Sequence, residues 1–213
     1  FYTPGNHELW SPRMQNREVT SLEKLELILR CCEQEGVLTA PLALGESVMV
    51  VPLFSWYKIG CNEGGEDESY DRAPLSRNEE HFDAACAWPS TVGNPNNKHD
   101  SNHPYIADFF HELNQRVVLP MVEEVRAARQ TASKPALQVL SFSHFIPWST
   151  LYQGRRSLKN VMGCKEIGLQ VQAVGSSVHV FGHSHMNCDV DMHGCRYIQH
   201  ALGYPNDRWH GAT

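Results

Sequence analysis

Two short apolar runs, residues 136–142 and 177–181, both end in histidine: the first in Ser143-His144, the second in Gly182-His183-Ser184-His185. Runs of this length, rich in Val, Leu and Phe and closed by small or polar residues, are the pattern of buried strands. A fold built on them carries imidazoles at the ends of its strands. The rest of the chain alternates strand and helix signals around this pair. Residues 1–3 read as the end of a strand. Ser21 is a plausible N-cap for a helix over 21–35, with Leu22, Leu25, Ile28 and Leu29 at helical spacing and Gly36 as its stop. Residues 37–44 and 47–56 read as two strands joined at Gly45-Glu46, with Pro52 arguing for an edge or a bulge. A long helix over 105–130 carries Ile106, Phe109, Phe110, Leu113, Val117 and Val118 and is broken or kinked at Pro120. Residues 165–174 are helical, and 188–191 and 195–200 flank His193-Gly194 as a hairpin.

These elements fit one domain spanning residues 1–213, since 41% hydrophobic and 20% charged residues give a chain of this length enough apolar material for a core. The net charge of −6 argues against nonspecific nucleic-acid binding through phosphates. The acidity is local: residues 57–103 form an acidic, loop-rich insertion that either shapes a substrate entrance or, as the favoured reading, is a solvated excursion. No stretch approaches a membrane span; the longest candidate, Val48 to Trp56, is short and interrupted by Pro52. Seven cysteines, with no CxxC and with Cys31 adjacent to Cys32, point to a reducing, cytoplasmic compartment. The chain begins with Phe and enters a motif within five residues, so the expectation is that the native N-terminus lies upstream, and targeting is not legible.

Several motif readings fail. His111-Glu112 and His7-Glu8 both lack the second His, at the fifth place, that a zinc protease needs. No Gly-rich loop closes in Gly-Lys-Ser/Thr, and Gly182-His183-Ser184-His185-Met186 lacks the closing Gly of a nucleophile elbow. What remains is Gly5-Asn6-His7-Glu8, the strand ending in His144, and the strand ending in Gly182-His183-Ser184-His185. In an extended segment His183 and His185 project to the same side while Ser184 turns away, which is ligand spacing for a metal. The preceding glycines allow a sharp exit and close backbone approach. Nitrogen and oxygen donors without cysteine suit Mn, Fe or Zn.

In this order the three motifs resemble those of the calcineurin-like metallophosphoesterase superfamily, whose signature begins with Asp-x-His and Gly-Asp; neither of those two precedes Gly5-Asn6-His7-Glu8 here. The resemblance extends over essentially the whole chain and implies an α/β fold, a two-sheet β-sandwich flanked by helices, incomplete at the N-terminus. It implies two divalent or trivalent metal ions, Mn, Fe or Zn, and hydrolysis of a phosphomonoester or phosphodiester by a metal-bridging hydroxide, with no protein nucleophile. Carried over residue by residue, Asn6 through its side-chain oxygen, His144 and His183 are ligands of the second metal, and His185 is a ligand of the first. His7 is the acid that protonates or stabilises the leaving oxygen, and Glu8 fixes its tautomer and keeps it cationic. The absent motifs supply most ligands of the first metal, so the chain alone is expected not to assemble the two-metal site.

The other histidines, at 81, 99, 103, 111, 179, 193, 200 and 210, match no motif and read as ordinary surface or core residues. Trp10, Trp56 and Tyr57 read as core aromatics, with the lining of a substrate cleft as the alternative, and Arg155, Arg156 and Lys159 as a solvated face, with contact to a phosphate as the alternative. The alternative reading is a non-catalytic phosphoesterase-fold module that binds protein, against which the retained ligand residues count.

Overall fold

The computed structural model describes residues 1–11, 13–14, 17–60 and 77–202. Its strands are β1 (Arg13–Met14), β2 (Arg17–Glu18), β3 (Leu42–Leu44), β4 (Val48–Pro52), β5 (Gln138–Phe142), β6 (Ser176–Val180), β7 (Cys188–Met192) and β8 (Cys195–Gln199). Its α-helices are α1 (Ser21–Gln34), α2 (Arg77–Glu80), α3 (Pro104–Leu113), α4 (Leu119–Thr131) and α5 (Lys165–Ala173). β1 and β2 form a two-residue ladder, and the other six strands form one mixed sheet in the order β3-β4-β5-β6-β8-β7. Strands β4, β5, β6 and β8 run parallel, and antiparallel β3 and β7 close the two edges. The described residues therefore make a mixed α/β fold on one six-stranded sheet; the second sheet of the expected sandwich is not among them.

The pairings sort the side chains into two faces. Met49 and Val51 on β4, Val139 and Ser141 on β5, His179 on β6 and Tyr197 on β8 are all buried and share one face. Ile106, Phe110, Val118 and Val122 from the long helical crossover, and Ile167 and Val171 from α5, join that face in one core cluster. The opposite face carries Leu42, Leu44, Val50, Leu140, Phe142, Val178, Val180 and Ile198, none of which belongs to that cluster.

Local chemistry moves several boundaries. The helix at 21 is capped by Thr20, not Ser21, through a full capping box with Glu23. Ser21 is buried instead, donating its hydroxyl to Leu9 O and accepting from Ala87 N–H. The strands expected over 37–44 and 47–56 shrink to β3 and β4, joined at Gly45 with φ +61°. Pro52 lies on an interior strand, not an edge. It ends β4 opposite Phe142, two residues after the pairing with β3 has run out, so its missing N–H costs no ladder bond. Residues 1–3 form no strand, although Tyr2 N–H bonds Leu38 O.

The helix expected over 105–130 is broken before Pro120 by a π-helical turn, Asn114–Val118. The backbone stays helical through Val118 into α4, with Leu119 N–H reaching back to Asn114 O, and this wider turn accommodates the ring and the missing N–H of Pro120. Asn114 is fully buried in that turn: its side chain accepts from Phe54 N–H and donates to Phe54 O and to Gln170 Oε1.

The reading of 57–103 as a solvated excursion fails for its described part, residues 57–60 and 77–103. Cys86, Trp88 and Val92 are buried, and Ser101 accepts from Trp88 Nε1 and, through its carbonyl, from Trp56 Nε1. Residues 61–76 lie outside the described residues. None of the six described cysteines is in a disulfide, and no described helix is long and apolar enough to cross a membrane.

Candidate functional site

The carboxyl ends of β4, β5 and β6 point to one edge of the sheet, the edge where open α/β sheets bind ligands. His144 follows β5 by two residues and His183 follows β6 by three. Backbone bonds carry the pairing past the strand ends, from Ser143 N–H to Val180 O and from Gly182 N–H to His144 O, so the two imidazoles leave neighbouring positions. Asn6 arrives from the N-terminal loop, held by a short 3₁₀ turn over His7–Leu9 whose Leu9 is buried. The loop can approach because residue 5 is glycine: a Cβ there would lie 2.7 Å from two ring atoms of His144. Gly182 is different, since a Cβ there would meet only ordinary contacts and its backbone is unexceptional. The expectation of a sterically required glycine thus holds for the first motif and not for the last.

Three atoms converge at the floor of this edge. His144 Nε2 lies 2.9 Å from Asn6 Oδ1 and 3.1 Å from His183 Nδ1. The surrounding bonds assign their polarity. Asn6 turns its Nδ2 toward Asp83 Oδ1, at 2.8 Å, which leaves Oδ1 facing His144. His183 Nε2 lies 3.2 Å from the carbonyl of Val161, which can only accept, so Nε2 carries the proton and Nδ1 presents a lone pair. One proton on His144 Nε2 serves both acceptors. A cation in the place of that proton would meet three lone pairs.

The donor set fits a metal. Ligands about 2.1 Å from a common ion at ordinary angles are roughly 3.0–3.4 Å apart, close to the spacing found here. The fixed tautomer of His183, set by a carbonyl behind it, is the usual support of a ligating imidazole. Among the described residues no group of three or more His, Cys, Asp or Glu is arranged to hold a metal. This cluster has two histidines, and its third donor is an amide oxygen. Burial pushes the His144 imidazole down to about 4, with the charges of His7 and His185 adding to the effect and Glu8 opposing it. Burial, and then His144, also holds His183 well below the usual histidine range. Both rings are neutral at pH 7, the form that ligates.

His183 and His185 do not reach their places by strand alternation. Both adopt left-handed backbone, φ +70° and +56°, and Ser184 N–H bonds Gly182 O between them. The chain turns rather than extends there, sending His183 inward to His144 while His185 stays exposed on the rim. Left-handed backbone costs a non-glycine residue about 1–2 kcal/mol, and such strain gathers at functional sites.

A cleft of about 460 Å³ opens above the cluster, lined by Asn6, His7, Glu8, Phe82, His144, Leu158, Met162, His183 and His185. His7 is exposed at its mouth, stacked on the Trp10 indole with ring centroids 3.9 Å apart. The expected support of His7 by Glu8 is not what the geometry provides: Glu8 Oε2 accepts instead from Gly5 N–H, at 2.9 Å. Trp56 and Tyr57 are core residues, as their sequence pattern suggests, whereas Trp10 belongs to the site.

Sequence reasoning missed Asp83, whose Oδ1 accepts from both Asn6 Nδ2 and Trp10 Nε1. It also missed Phe145, packed against both imidazoles, and the Val161 carbonyl. Nothing local marks Asp83 among the acids of its insertion.

No model of a known protein family matches the chain. No curated protein matches it either. Its likeness is to a solved structure, the crystal structure of phosphopantetheinyl hydrolase (PptH) from Mycobacterium tuberculosis, with TM-score 0.60 and 18% sequence identity over 98% of this chain and 71% of that one. At that identity the relation is one of fold.

Proposed function

We propose that the chain is the metal-binding portion of a calcineurin-like metallophosphoesterase, a metal-dependent hydrolase of a phosphomonoester or phosphodiester. The observation that carries this reading is the convergence of Asn6 Oδ1, His144 Nε2 and His183 Nδ1 at the carboxyl ends of two adjacent parallel strands. A hydrolase of related fold whose name specifies a phosphopantetheinyl group supports it. A non-catalytic module gives no account of two imidazoles and an amide oxygen gathered at one point, with the Val161 carbonyl fixing the tautomer of His183 and Asp83 turning the Asn6 amide.

In this reading Asn6, His144 and His183 hold one ion of Mn, Fe or Zn, which supplies Lewis acidity toward a phosphoryl oxygen. His185, on the rim of the same cleft, is the residue the resemblance assigns to a second ion; the Asp-x-His and Gly-Asp segments that supply its other ligands do not precede Gly5 here. The two-sheet sandwich likewise requires strands beyond those described. His7 protonates the leaving oxygen: it stands at the cleft mouth, and the Trp10 indole fixes the plane of its ring. Glu8 acts on the loop, tying it at Gly5 so that Asn6 meets His144. Phe82, Leu158 and Met162 form an apolar wall that limits water around the ester.

Calorimetric titration with Zn²⁺ and Mn²⁺, followed by elemental analysis, is expected to find one bound ion per chain, lost in Asn6→Ala and His183→Ala. Full-length protein should release p-nitrophenol from p-nitrophenyl phosphate or its bis ester only with metal. Failure of both the binding and the release overturns the reading.

A further inference from the structure

An asparagine side chain is nearly symmetric in shape, so Asn6 could face His144 with its oxygen or with its NH₂, and only its other neighbour decides which. That neighbour is Asp83 Oδ1, 2.8 Å from Asn6 Nδ2. The same oxygen accepts from Trp10 Nε1 at 2.7 Å, and Trp10 carries the ring of His7. We propose that Asp83 is the positioning residue of the site: one buried carboxylate oxygen turns the Asn6 carbonyl toward His144 and holds the indole on which His7 rests. The effect on metal affinity rests on the function proposed above; the orientation of Asn6 does not.

Three features of Asp83 are unfavourable for folding. Its backbone is left-handed, φ +55°, its side chain is 7% exposed, and its Oδ2 is buried without a hydrogen-bond partner. A purely structural clamp between the N-terminal loop and residues 77–103 does not explain them, because that junction is already made. Trp10 bridges Cys86, Ser11 N–H bonds Ala85 O, and Ser21 bonds Leu9 O and Ala87 N–H. What Asp83 adds is direction. As an acceptor it admits only the NH₂ end of Asn6, and its charge draws electron density through the amide toward Oδ1, which makes that oxygen a better ligand.

The test compares Asp83→Ala, Asp83→Asn and Ser21→Ala with the parent. Supporting partners of metal ligands are worth about 10–100-fold in affinity. Zn²⁺ affinity, measured by competition with a chromophoric chelator, is expected to fall by that factor in Asp83→Ala and by less in Asp83→Asn, which keeps an acceptor oxygen. Ser21→Ala, which loosens the same junction without touching Asn6 or Asp83, should bind as the parent does. Without metal, ¹⁵N correlation spectra should show the Asn6 side-chain amide shifted in Asp83→Ala, with faster proton exchange. Asp83→Ala affinity within twofold of the parent, or an equal loss in Ser21→Ala, overturns the proposal. If the parent binds no metal, the functional reading loses its binding half, and the Asn6 amide decides orientation alone: unchanged resonances in Asp83→Ala overturn the proposal.

Discussion

The two faces of the six-stranded sheet have nearly the same raw material and very different surroundings. On the helix-covered face Met49, Val51, Val139 and Tyr197 are at most 3% exposed and belong to one core. On the other, Leu42, Leu44 and Val180 are 43%, 48% and 38% exposed, and Leu140, Phe142, Val178 and Ile198 are only partly covered. The covered face also tolerates polar groups, since Ser141, Ser143 and His179 satisfy one another there. Burial on one side licenses a polar network, while the apolar surface on the other is only partly covered by the described residues, with Val50 buried and its neighbours half open. The difference is one of partner, not of composition: β4, β5, β6 and β8 supply both faces.

The contrast is sharpest at Tyr197. It is fully buried, and its hydroxyl accepts from Trp148 Nε1 at 2.7 Å. Tyr197→Ala should cost about 4 kcal/mol, from the lost ring and the orphaned indole, read as a shifted urea midpoint at constant slope. A loss under 1 kcal/mol would show that the helix layer is not what stabilises the sheet. His179 gives the next largest effect. Its two ring nitrogens lie 2.7 and 3.0 Å from the hydroxyls of Ser141 and Ser143, and burial pushes its pKa down to about 3. The unfolded chain then binds a proton that the folded one refuses, so stability is full above about pH 6.5. It falls by ~1.4 kcal/mol per pH unit as pH drops from there toward 3. Urea titrations at pH 7 and 5 check this, and His179→Gln should flatten the pH dependence.

The open face should respond weakly. Val180→Thr is expected to change stability by no more than about 0.5 kcal/mol, where Val139→Thr on the covered face costs more than 1 kcal/mol for an unpaired hydroxyl. Equal costs would mean that something covers both. An apolar fluorescent dye should bind the native protein and lose intensity in Leu44→Lys, because patches of this kind attract apolar probes.

How far the sequence announces all this depends on whether a feature is local. The runs ending at Phe142 and Phe181 are legible because a β-rich segment followed by Ser-His or Gly-His needs no distant information, and the observed strands differ from the expected ones by at most two residues. Thr20 could have been preferred to Ser21, since only Thr20 has a Glu three positions later. Pro52 misled because its tolerance depends on where β3 stops, which is a fact about another strand. Asn6, His144 and His183 were nameable from their motifs and do meet. The means by which His183 gets there was not, because left-handed backbone at a histidine is imposed by surroundings. Asp83 was invisible for the same reason: it becomes special only when folding sets it beside a residue 77 positions away.

The left-handed histidines bear on how such a protein could change over generations. His193 shares their backbone, φ +52°, at the tip of the β7–β8 hairpin, where Gly194 completes a tight turn and other residues would serve as well. At 183 and 185 the conformation that favours Gly or Asn is occupied by imidazole. A laboratory population propagated under heat alone, with no demand on chemistry, would therefore drift toward Gly or Asn at all three positions. One propagated for turnover would free only the hairpin. Which of the three sites resists replacement is a record of what the lineage has been asked to do.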